Sequence, residues 1–243
     1  MSELPPGPLP ETPPAPDPTP PEVPIPPVPA LRADRLGLRT RRGWVFRDVS
    51  AELPEGGLLG IHGPAGSGRS MLLLALAGRA ALTTGRLAVA GARRPAEVRR
   101  RVGVARIGGA IGLEPGLTVG DHLTECARFG GSVDLGAAAA LLRLQVEPSD
   151  LVEDLPAVEA LLLAVALATA TRPSLIVVDD LSAGLTSADC ARAHAALGSV
   201  TAAGTAVAAT DSVPLPGADV LVDLGSGSDG PPLPARRGRH EKE

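Results

Sequence analysis

The sequence predicts an α/β fold in which a largely parallel sheet is flanked by helices and carries a small helical insertion. Two observations predict it: short β-rich runs alternate with helical runs along most of the chain, and a glycine-rich loop joins one of these runs to the following helix. Such alternation produces parallel strands covered by helices. In sheets of this kind, ligands bind outside the carboxyl ends of the strands.

The individual elements follow from composition and end signals. Pro95 suits a first helical position, Thr118 and Asp121 have the spacing of a capping box, and Ser187 can cap a helix over residues 188–198. The runs with strand composition are Val45–Val49, Leu58–His62, Leu87–Val89, Val102–Ala105, Leu175–Asp179, Ala206–Ala209 and Val220–Val222.

The domain organisation is visible in the composition. Residues 1–30 contain fourteen prolines and no periodic apolar pattern, which predicts a disordered or extended arm. From residue 225 to 243 the chain is rich in Gly, Ser and Arg, which predicts a flexible tail. The folded domain is therefore expected over 31–224. Within it, residues 118–156 contain helices but no strand run, which predicts the helical insertion.

Eight consecutive residues form a phosphate-loop pattern, G-x-x-x-x-G-[K]-[S/T], with arginine in place of lysine: Gly63, Pro64, Ala65, Gly66, Ser67, Gly68, Arg69 and Ser70. The glycines allow the backbone N–H groups to surround a phosphate, and the next helix directs its N-terminus at the same point. Ser70 is the predicted Mg²⁺ ligand of the loop. The strand, loop and helix context predicts a P-loop NTPase fold. A planar guanidinium at Arg69 does not replace a compact ammonium.

A second motif is the buried strand Leu175–Asp179, which is followed by Asp180. An acid delivered by such a strand to the edge that carries the phosphate loop is suited to bind Mg²⁺, usually through a water. We therefore predict Asp179 as a metal residue. Asp180 is in position to orient an attacking water and is the predicted catalytic residue.

Composition excludes some classes of function. The net charge of −4 and the lack of a basic stripe argue against a nucleic-acid partner. Cys126 and Cys190 lie far apart, and none of the four histidines has a partner at metal-binding spacing. The longest apolar run is far shorter than the roughly 20 residues that cross a bilayer.

Together, the phosphate loop and the sequence Arg172-Pro-Ser-Leu-Ile-Val-Val-Asp-Asp-Leu-Ser-Ala-Gly-Leu185 resemble the nucleotide-binding domain of ATP-binding-cassette (ABC) transporters. The resemblance covers about residues 35–224. It implies ATP and Mg²⁺ as cofactors, a membrane permease on a separate chain, and a homo- or heterodimer with another such domain. It also implies a cytoplasmic location at the inner face of the cell membrane.

The sequence departs from the family pattern at most positions that serve hydrolysis. Asp180 replaces a glutamate and is one methylene shorter, and Asp211 stands where a histidine is expected. The position that a glutamine occupies in the family pattern aligns with Ile107. The family's Leu-Ser-Gly-Gly-Gln signature falls on residues 155–159, which include Pro156 and Val158. The aromatic residue that stacks on adenine in the family aligns near Thr40. Trp44 is the nearest aromatic residue in the sequence.

Three functions are compatible with this pattern. The first is a nucleotide-binding subunit whose hydrolysis is impaired and which has a regulatory or structural role beside a permease. The second is an active transporter ATPase that works with a competent partner. The third is an interaction module that binds no nucleotide.

Overall fold

The structure of the chain, a computed structural model, describes residues 28–130 and 135–225. The predicted arm up to residue 27 and the predicted tail from residue 226 lie outside this part. At the start of it, Ala30 is buried and its carbonyl accepts a hydrogen bond from Ala90 N. The described chain is therefore anchored within its first three residues.

Five strands form a parallel sheet, which confirms the predicted fold class. Their order across the sheet is β5, β6, β7, β3 and β8. The bounds are β3 Leu58–His62, β5 Val102–Arg106, β6 Leu175–Val178, β7 Ala206–Asp211 and β8 Val220–Asp223. β6 ends one residue earlier than predicted, so that Asp179 is the first residue after the strand. The carboxyl ends of β3 and β6 bring the phosphate loop and the two acids to one edge.

Three further strands form a separate antiparallel sheet in the order β2, β1 and β4. The bounds are β1 Leu31–Thr40, β2 Gly43–Leu53 and β4 Thr84–Val89. The sequence analysis recognised parts of β2 and β4 but not β1. Repeated register shifts between β1 and β2 break the alternation of buried and exposed residues along β1, and that alternation is the signal by which a strand is recognised.

Six helices cover the sheets in the described residues. The bounds are α1 Arg69–Leu76, α2 Pro95–Arg101, α3 Val119–Gly130, α4 Leu135–Leu142, α5 Ala157–Ala170 and α6 Ser187–Ala202, with a short 3-10 helix at Val152–Asp154. α5 is the central helix, because it packs against β5, β6, α4 and α6. In the described part of the segment predicted as an insertion, α3, α4 and the 3-10 helix are connected by irregular chain that includes one isolated bridge, Thr118 with Leu151.

The helix starts follow local capping chemistry. Pro95 is the first residue of α2, as predicted. Thr118 and Asp121 form the predicted box: Asp121 N donates to Thr118 Oγ1 at 3.1 Å, and Thr118 N donates to Asp121 Oδ2 at 3.0 Å. The predicted cap at Ser187 is wrong by one residue, because the hydroxyl of Thr186 accepts from Asp189 N and α6 starts at Ser187.

Two apolar cores lie on the two faces of the parallel sheet. Along β6, Leu175 and Val177 belong to the core with α1 and the antiparallel sheet, whereas Ile176 and Val178 belong to the core with α5 and α6. This is the two-residue period of a strand that is buried on both sides. β6 is therefore fixed from both faces, and Asp179 is held in place at its end.

Candidate functional site

The phosphate loop has a backbone that requires glycine. Gly66 and Gly68 have φ angles of 83° and 96°, in the left-handed region that favours glycine. A Cβ atom on Gly68 would lie 2.6 Å from the carbonyl oxygen of Val45 in β2. The loop therefore packs directly against the antiparallel sheet, and Gly68 is required both by its φ angle and by this close approach.

A buried hydroxyl within the loop points to a ligand with acceptor oxygens. Ser67 is 7% exposed, and its Oγ has no hydrogen-bond partner among the described residues. It lies over Gly63, where an added Cβ would be 2.8 Å from Ser67 Oγ. A buried unpaired hydroxyl is unfavourable unless a ligand satisfies it. The loop, this hydroxyl and the start of α1 at Arg69 therefore fit a phosphate group.

The side chain of Arg69 is directed back into the loop. Its Nη1 donates to the carbonyl oxygen of Gly63 at 3.0 Å, and its Nη2 donates to Asp180 Oδ1 at 2.8 Å. The Arg69 side chain is 12% exposed, compared with 45% for Asp180. The group at the lysine position therefore joins the first residue of the loop to the predicted catalytic carboxylate.

Asp179 is 1% exposed and its carboxylate is bound on both oxygens. Its Oδ1 accepts from Thr210 Oγ1 at 2.5 Å, and its Oδ2 accepts from Gly108 N at 3.1 Å. Each carboxylate oxygen has two acceptor positions, so one remains on each oxygen. Asp179 is thus fixed in orientation and can still accept a hydrogen bond from a metal-bound water.

The backbone around Asp180 is held by two side chains that the sequence analysis did not select. Thr210 Oγ1 accepts from Asp180 N at 2.8 Å, and Arg106 Nη2 donates to the carbonyls of both Asp179 and Asp180. Asp180 has a φ of 44°, so this turn is strained for a non-glycine residue. Burial lowers the pKa of the Arg106 guanidinium, and the charges of Asp179 and Asp180 act in the opposite direction.

Arg106 and Thr210 could have been found from their place in the chain. Arg106 is the last residue of β5, and Thr210 is next to last in β7. β5 and β7 are the two neighbours of β6 in the sheet. Polar residues at these strand ends must therefore meet the residues that follow Val178.

Two departures from the family pattern have clear structural consequences. Ile107 is fully buried in the core beside α1, so it offers no polar contact, and Gly108 N approaches Asp179 instead. Asp211 is also buried, and its Oδ1 accepts from Ser182 Oγ at 2.7 Å and from Ser212 N at 2.6 Å. Asp211 therefore holds the loop after Asp180.

The segment aligned with the family signature is built as an ordinary helix start. Pro156 is the N-cap of α5 and forms no side-chain capping bond. Val158 is 4% exposed and packs in the core. Glu159 Oε1 accepts from Arg192 Nη1 of α6 at 2.6 Å. These side chains stabilise helix packing.

The only tryptophan of the sequence, Trp44, precedes Val45 in β2. Trp44 lines a groove with Thr84, Gly85 and Arg86 of β4, and none of residues 63–70 lines that groove. The Arg39 guanidinium lies 5.7 Å from the centroid of the ring. Thr40 bonds to the turn between β1 and β2 through Gly43 O.

No cluster of three metal-binding side chains occurs in residues 28–130 and 135–225. Within the same ranges, no helix is long and apolar enough to cross a membrane. Cys126 and Cys190 are free thiols, and burial together with the charge of Glu125 raises the pKa of the Cys126 thiol.

A phosphate loop on β3 and an acid after β6, on one edge of a parallel sheet, define the P-loop class of α/β fold. Residues 46–183 match the family model described as ABC transporter, which is more than half of the chain. The chain therefore belongs to the ABC transporter family.

The curated relatives that the chain matches are named as ATP-binding proteins. The chain is 28% identical over 193 residues to a ribose import ATP-binding protein of Rhizobium etli, covering 74% of this chain and 38% of that protein. It is 32% identical over 120 residues to a cytochrome c biogenesis ATP-binding export protein of Agrobacterium fabrum, covering 47% of this chain and 56% of that protein. The chain thus spans well under two thirds of the length of these relatives.

Solved structures agree with the fold. An ABC transporter ATP-binding protein from Pyrococcus furiosus superposes with a TM-score of 0.69 at 16% identity, covering 82% of this chain and 98% of that one. The cbiO1 part of an ABC transporter complex from Clostridium perfringens superposes with a TM-score of 0.63 at 14% identity, covering 75% and 78%. These likenesses establish the ABC cassette architecture.

Proposed function

We propose that this chain is the nucleotide-binding subunit of an ABC transporter, that it binds ATP and Mg²⁺, and that its ATP hydrolysis is impaired. The observation that carries the proposal is the position of Arg69, whose guanidinium bonds to both Gly63 O and Asp180 Oδ1. Its partner is a membrane permease on a separate chain, which places the subunit at the inner face of the cell membrane with a regulatory or structural role.

The binding half of the proposal rests on the loop. The left-handed glycines and the unpaired Ser67 hydroxyl fit phosphate oxygens. We assign nucleotide contacts to Gly63, Pro64, Ala65, Gly66, Ser67, Gly68, Arg69 and Ser70. Ser70 and Asp179 would hold Mg²⁺, which would neutralise phosphate charge when bound.

The hydrolysis half rests on the bonds of Asp180. A carboxylate that orients a water must be free to accept its proton at the correct distance. Asp180 is one methylene shorter than glutamate, and Arg69 already binds one of its oxygens. A displacement of about 1 Å costs on the order of 10² in rate. The same contact partly neutralises the Arg69 charge, so that less of it is available to a phosphate.

Calorimetric titration of the full chain with ATP tests the binding half. We expect weak binding that depends on Mg²⁺, is about tenfold tighter in Arg69→Lys because the loop gains a phosphate ligand, and is lost in Asp179→Ala. A matched control is Asp189→Ala, an acid in the first turn of α6 that is distant in the sequence from the loop. Absence of binding in both the parent and Arg69→Lys would favour the interaction module.

Phosphate release tests the hydrolysis half. The parent should turn over at least 10² more slowly than the roughly 10 s⁻¹ typical of enzymes. Arg69→Lys with Asp180→Glu should raise the rate more than the product of the two single changes, because the two side chains contact each other. Turnover of the parent at about 10 s⁻¹ that Asp179→Ala abolishes would contradict the proposal.

A second candidate is a working half-site completed by a competent cassette on another chain. The observation that favours it is that the loop keeps a phosphate-binding geometry while the start of α5, with Pro156 and a core-packed Val158, does not present the signature. ATP turnover by a co-purified pair, lost on Asp179→Ala in this chain, would support this candidate over a purely regulatory subunit.

A further inference from the structure

The phosphate loop offers a nucleotide two kinds of contact, which reach different phosphates. In loops of this pattern, backbone N–H groups surround the α- and β-phosphates, and the side chain at the lysine position reaches the β- and γ-phosphates. In this chain, Gly68 is the N-cap of α1 and provides no side-chain cap, and the Ser67 hydroxyl has no partner among the described residues. The part of the loop that would hold a diphosphate therefore keeps its hydrogen-bonding capacity.

The side chain at the lysine position is already engaged. Arg69 Nη1 donates to Gly63 O at 3.0 Å, and Arg69 Nη2 donates to Asp180 Oδ1 at 2.8 Å. The Arg69 side chain is mostly buried. A γ-phosphate must compete with both acceptors before it can bind this cation, whereas the backbone N–H groups that would hold the α- and β-phosphates take part in neither bond.

The acids at this edge of the sheet disfavour the additional charge of a γ-phosphate. Asp179 and Asp180 follow β6, and Asp211 is the last residue of β7. Across residues 28–130 and 135–225, no arginine or histidine nitrogen lies within 4.0 Å of the carboxylate of Asp179 or Asp211. Mg²⁺ would accompany a diphosphate and a triphosphate alike, so the charge of the γ-phosphate remains as the difference between them.

Asp180 is held at this edge through its backbone. Its N–H donates to Thr210 Oγ1 at 2.8 Å, and its carbonyl oxygen accepts from Arg106 Nη2 at 2.5 Å. Thr210 lies on β7 and Arg106 on β5, the two strands that flank β6. The carboxylate can therefore move away only by rotation of the side chain, and its bond to Arg69 opposes that rotation.

We infer that this loop binds a nucleoside diphosphate in preference to a triphosphate, and that the pair of Arg69 and Asp180 determines the preference. The inference rests on the proposed function, because it names the nucleotide that the same loop favours. Asp180 is in this respect a specificity-determining residue, since it withholds Arg69 from the γ-phosphate and places a negative charge beside it. Removal of that charge should therefore remove the preference.

Calorimetric titration of the full chain with ADP and with ATP, at one saturating Mg²⁺ concentration, tests the inference. The measured quantity is the ratio of the two dissociation constants, which does not depend on the fraction of the protein that is folded. We expect ADP to bind about tenfold more tightly than ATP to the parent. A non-hydrolysable ATP analogue repeats the second titration, so that turnover cannot supply ADP during the measurement.

The diagnostic variant is Asp180→Asn. Asparagine has the shape of aspartate and tolerates the φ of 44° at this position, so the turn is kept while the charge is lost. We expect ATP to bind about tenfold more tightly than to the parent and ADP to change by less than about threefold, which brings the ratio close to one.

The matched control is Asp219→Asn, the same change at the other end of the parallel sheet. Asp219 Oδ2 accepts from Leu58 N at 2.8 Å where β3 begins, whereas the phosphate loop follows the end of β3. This variant loses an equal charge and keeps an acceptor for Leu58 N, so the ratio should stay at the parent value. Circular dichroism verifies that both variants are folded.

Two results would overturn the inference and leave the proposed function standing. One is that the parent binds ATP as tightly as ADP or more tightly. The other is a preference for ADP that is equal in Asp180→Asn and Asp219→Asn, because the charge of Asp180 would then not set it. If the parent bound neither nucleotide, the proposed function would fail together with the inference, so the two kinds of failure are distinguishable.

Discussion

The phosphate loop and the start of α5 differ in how their local structure relates to their expected roles. In the loop, left-handed Gly66 and Gly68 and the unpaired hydroxyl of Ser67 fit an external ligand. At the start of α5, Val158 packs in the core and Glu159 Oε1 binds Arg192, while Glu159 Oε2, like Ser67 Oγ, has no hydrogen-bond partner among the described residues. The loop has a backbone shaped for a ligand, whereas the side chains at the start of α5 mainly contact the core and α6.

The contrast extends to the two acids. Asp179 is oriented by Thr210 and Gly108 but keeps acceptor positions, whereas Asp180 is joined to Arg69. The Ser67 hydroxyl and the Asp179 carboxylate thus keep unfilled hydrogen-bonding capacity, whereas Asp180 is used in a contact with Arg69. The proposal of nucleotide binding with impaired hydrolysis rests on this difference.

The largest expected effect is that of Gly68→Ala in the phosphate loop. The new Cβ would lie 2.6 Å from Val45 O at a φ of 96°, so we expect a loss of about 2–4 kcal/mol in the free energy of unfolding. ATP binding should be lost as well. Urea unfolding and nucleotide titration measure the two effects.

The matched control for Gly68→Ala is Gly109→Ala. Gly109 also has a positive φ, 70°, but no heavy atom lies within 4 Å of its added Cβ. Only backbone strain of about 1 kcal/mol is then expected. Equal losses in the two variants would contradict the view that the contact between loop and antiparallel sheet matters.

The next effect is that of Thr210→Val, which removes the hydroxyl shared by Asp179 and Asp180 while keeping the shape of the side chain. Two buried hydrogen bonds are lost, so we expect the free energy of unfolding to fall by about 2 kcal/mol and Mg²⁺-dependent ATP binding to weaken. Thr201→Val in α6 is the control, because its hydroxyl bonds only to Gly198 O of the same helix. Unchanged ATP binding in Thr210→Val would show that binding does not depend on the hydrogen bond by which Thr210 orients the Asp179 carboxylate.

Much of the parallel sheet could be predicted from sequence, because buried strands such as Leu58–His62 and Leu175–Val178 are continuous apolar runs. β1 could not, since its irregular pairing with β2 removes the period of two. The predicted helix starts at Pro95 and Thr118 were correct, because each prediction used only residues within one helical turn.

The residues of the candidate site could be proposed from motifs, but their bonds could not. The spacing of Arg69 and Asp180 in the sequence does not indicate that their side chains meet, because that contact depends on β3 and β6 ending at one edge. Thr210 and Arg106 are similar cases, recognisable only once the strand order is known. Long-range side-chain contacts follow from the topology and leave no local pattern.

A smaller effect is expected for a change at the start of α5. Glu159→Gln keeps the shape of the side chain but replaces the ion pair with Arg192, whose side chain is 38% exposed, with a hydrogen bond from the guanidinium to an uncharged acceptor. We expect the free energy of unfolding to fall by about 0.5–1 kcal/mol, and ATP binding to stay at the parent value. A change in ATP affinity on calorimetric titration would connect this helix start to the nucleotide site after all.

The smallest effect concerns acid stability at the start of α3. Hydrogen bonds from the hydroxyl and the N–H of Thr118 lower the pKa of Asp121 from its usual 3.8. A lowered pKa in the folded state stabilises the protein above the unfolded value, and this stabilisation is lost as the pH falls through the folded pKa. Asp121→Asn should therefore be less stable than the parent at pH 6, and the difference should shrink below pH 3.8. Urea midpoints at several pH values measure it, and in a Thr118→Val background the pH dependence of the difference should become smaller, because the hydroxyl donor is lost while the backbone N–H donor remains. A difference that is constant with pH would show that the Asp121 charge has no part in capping α3.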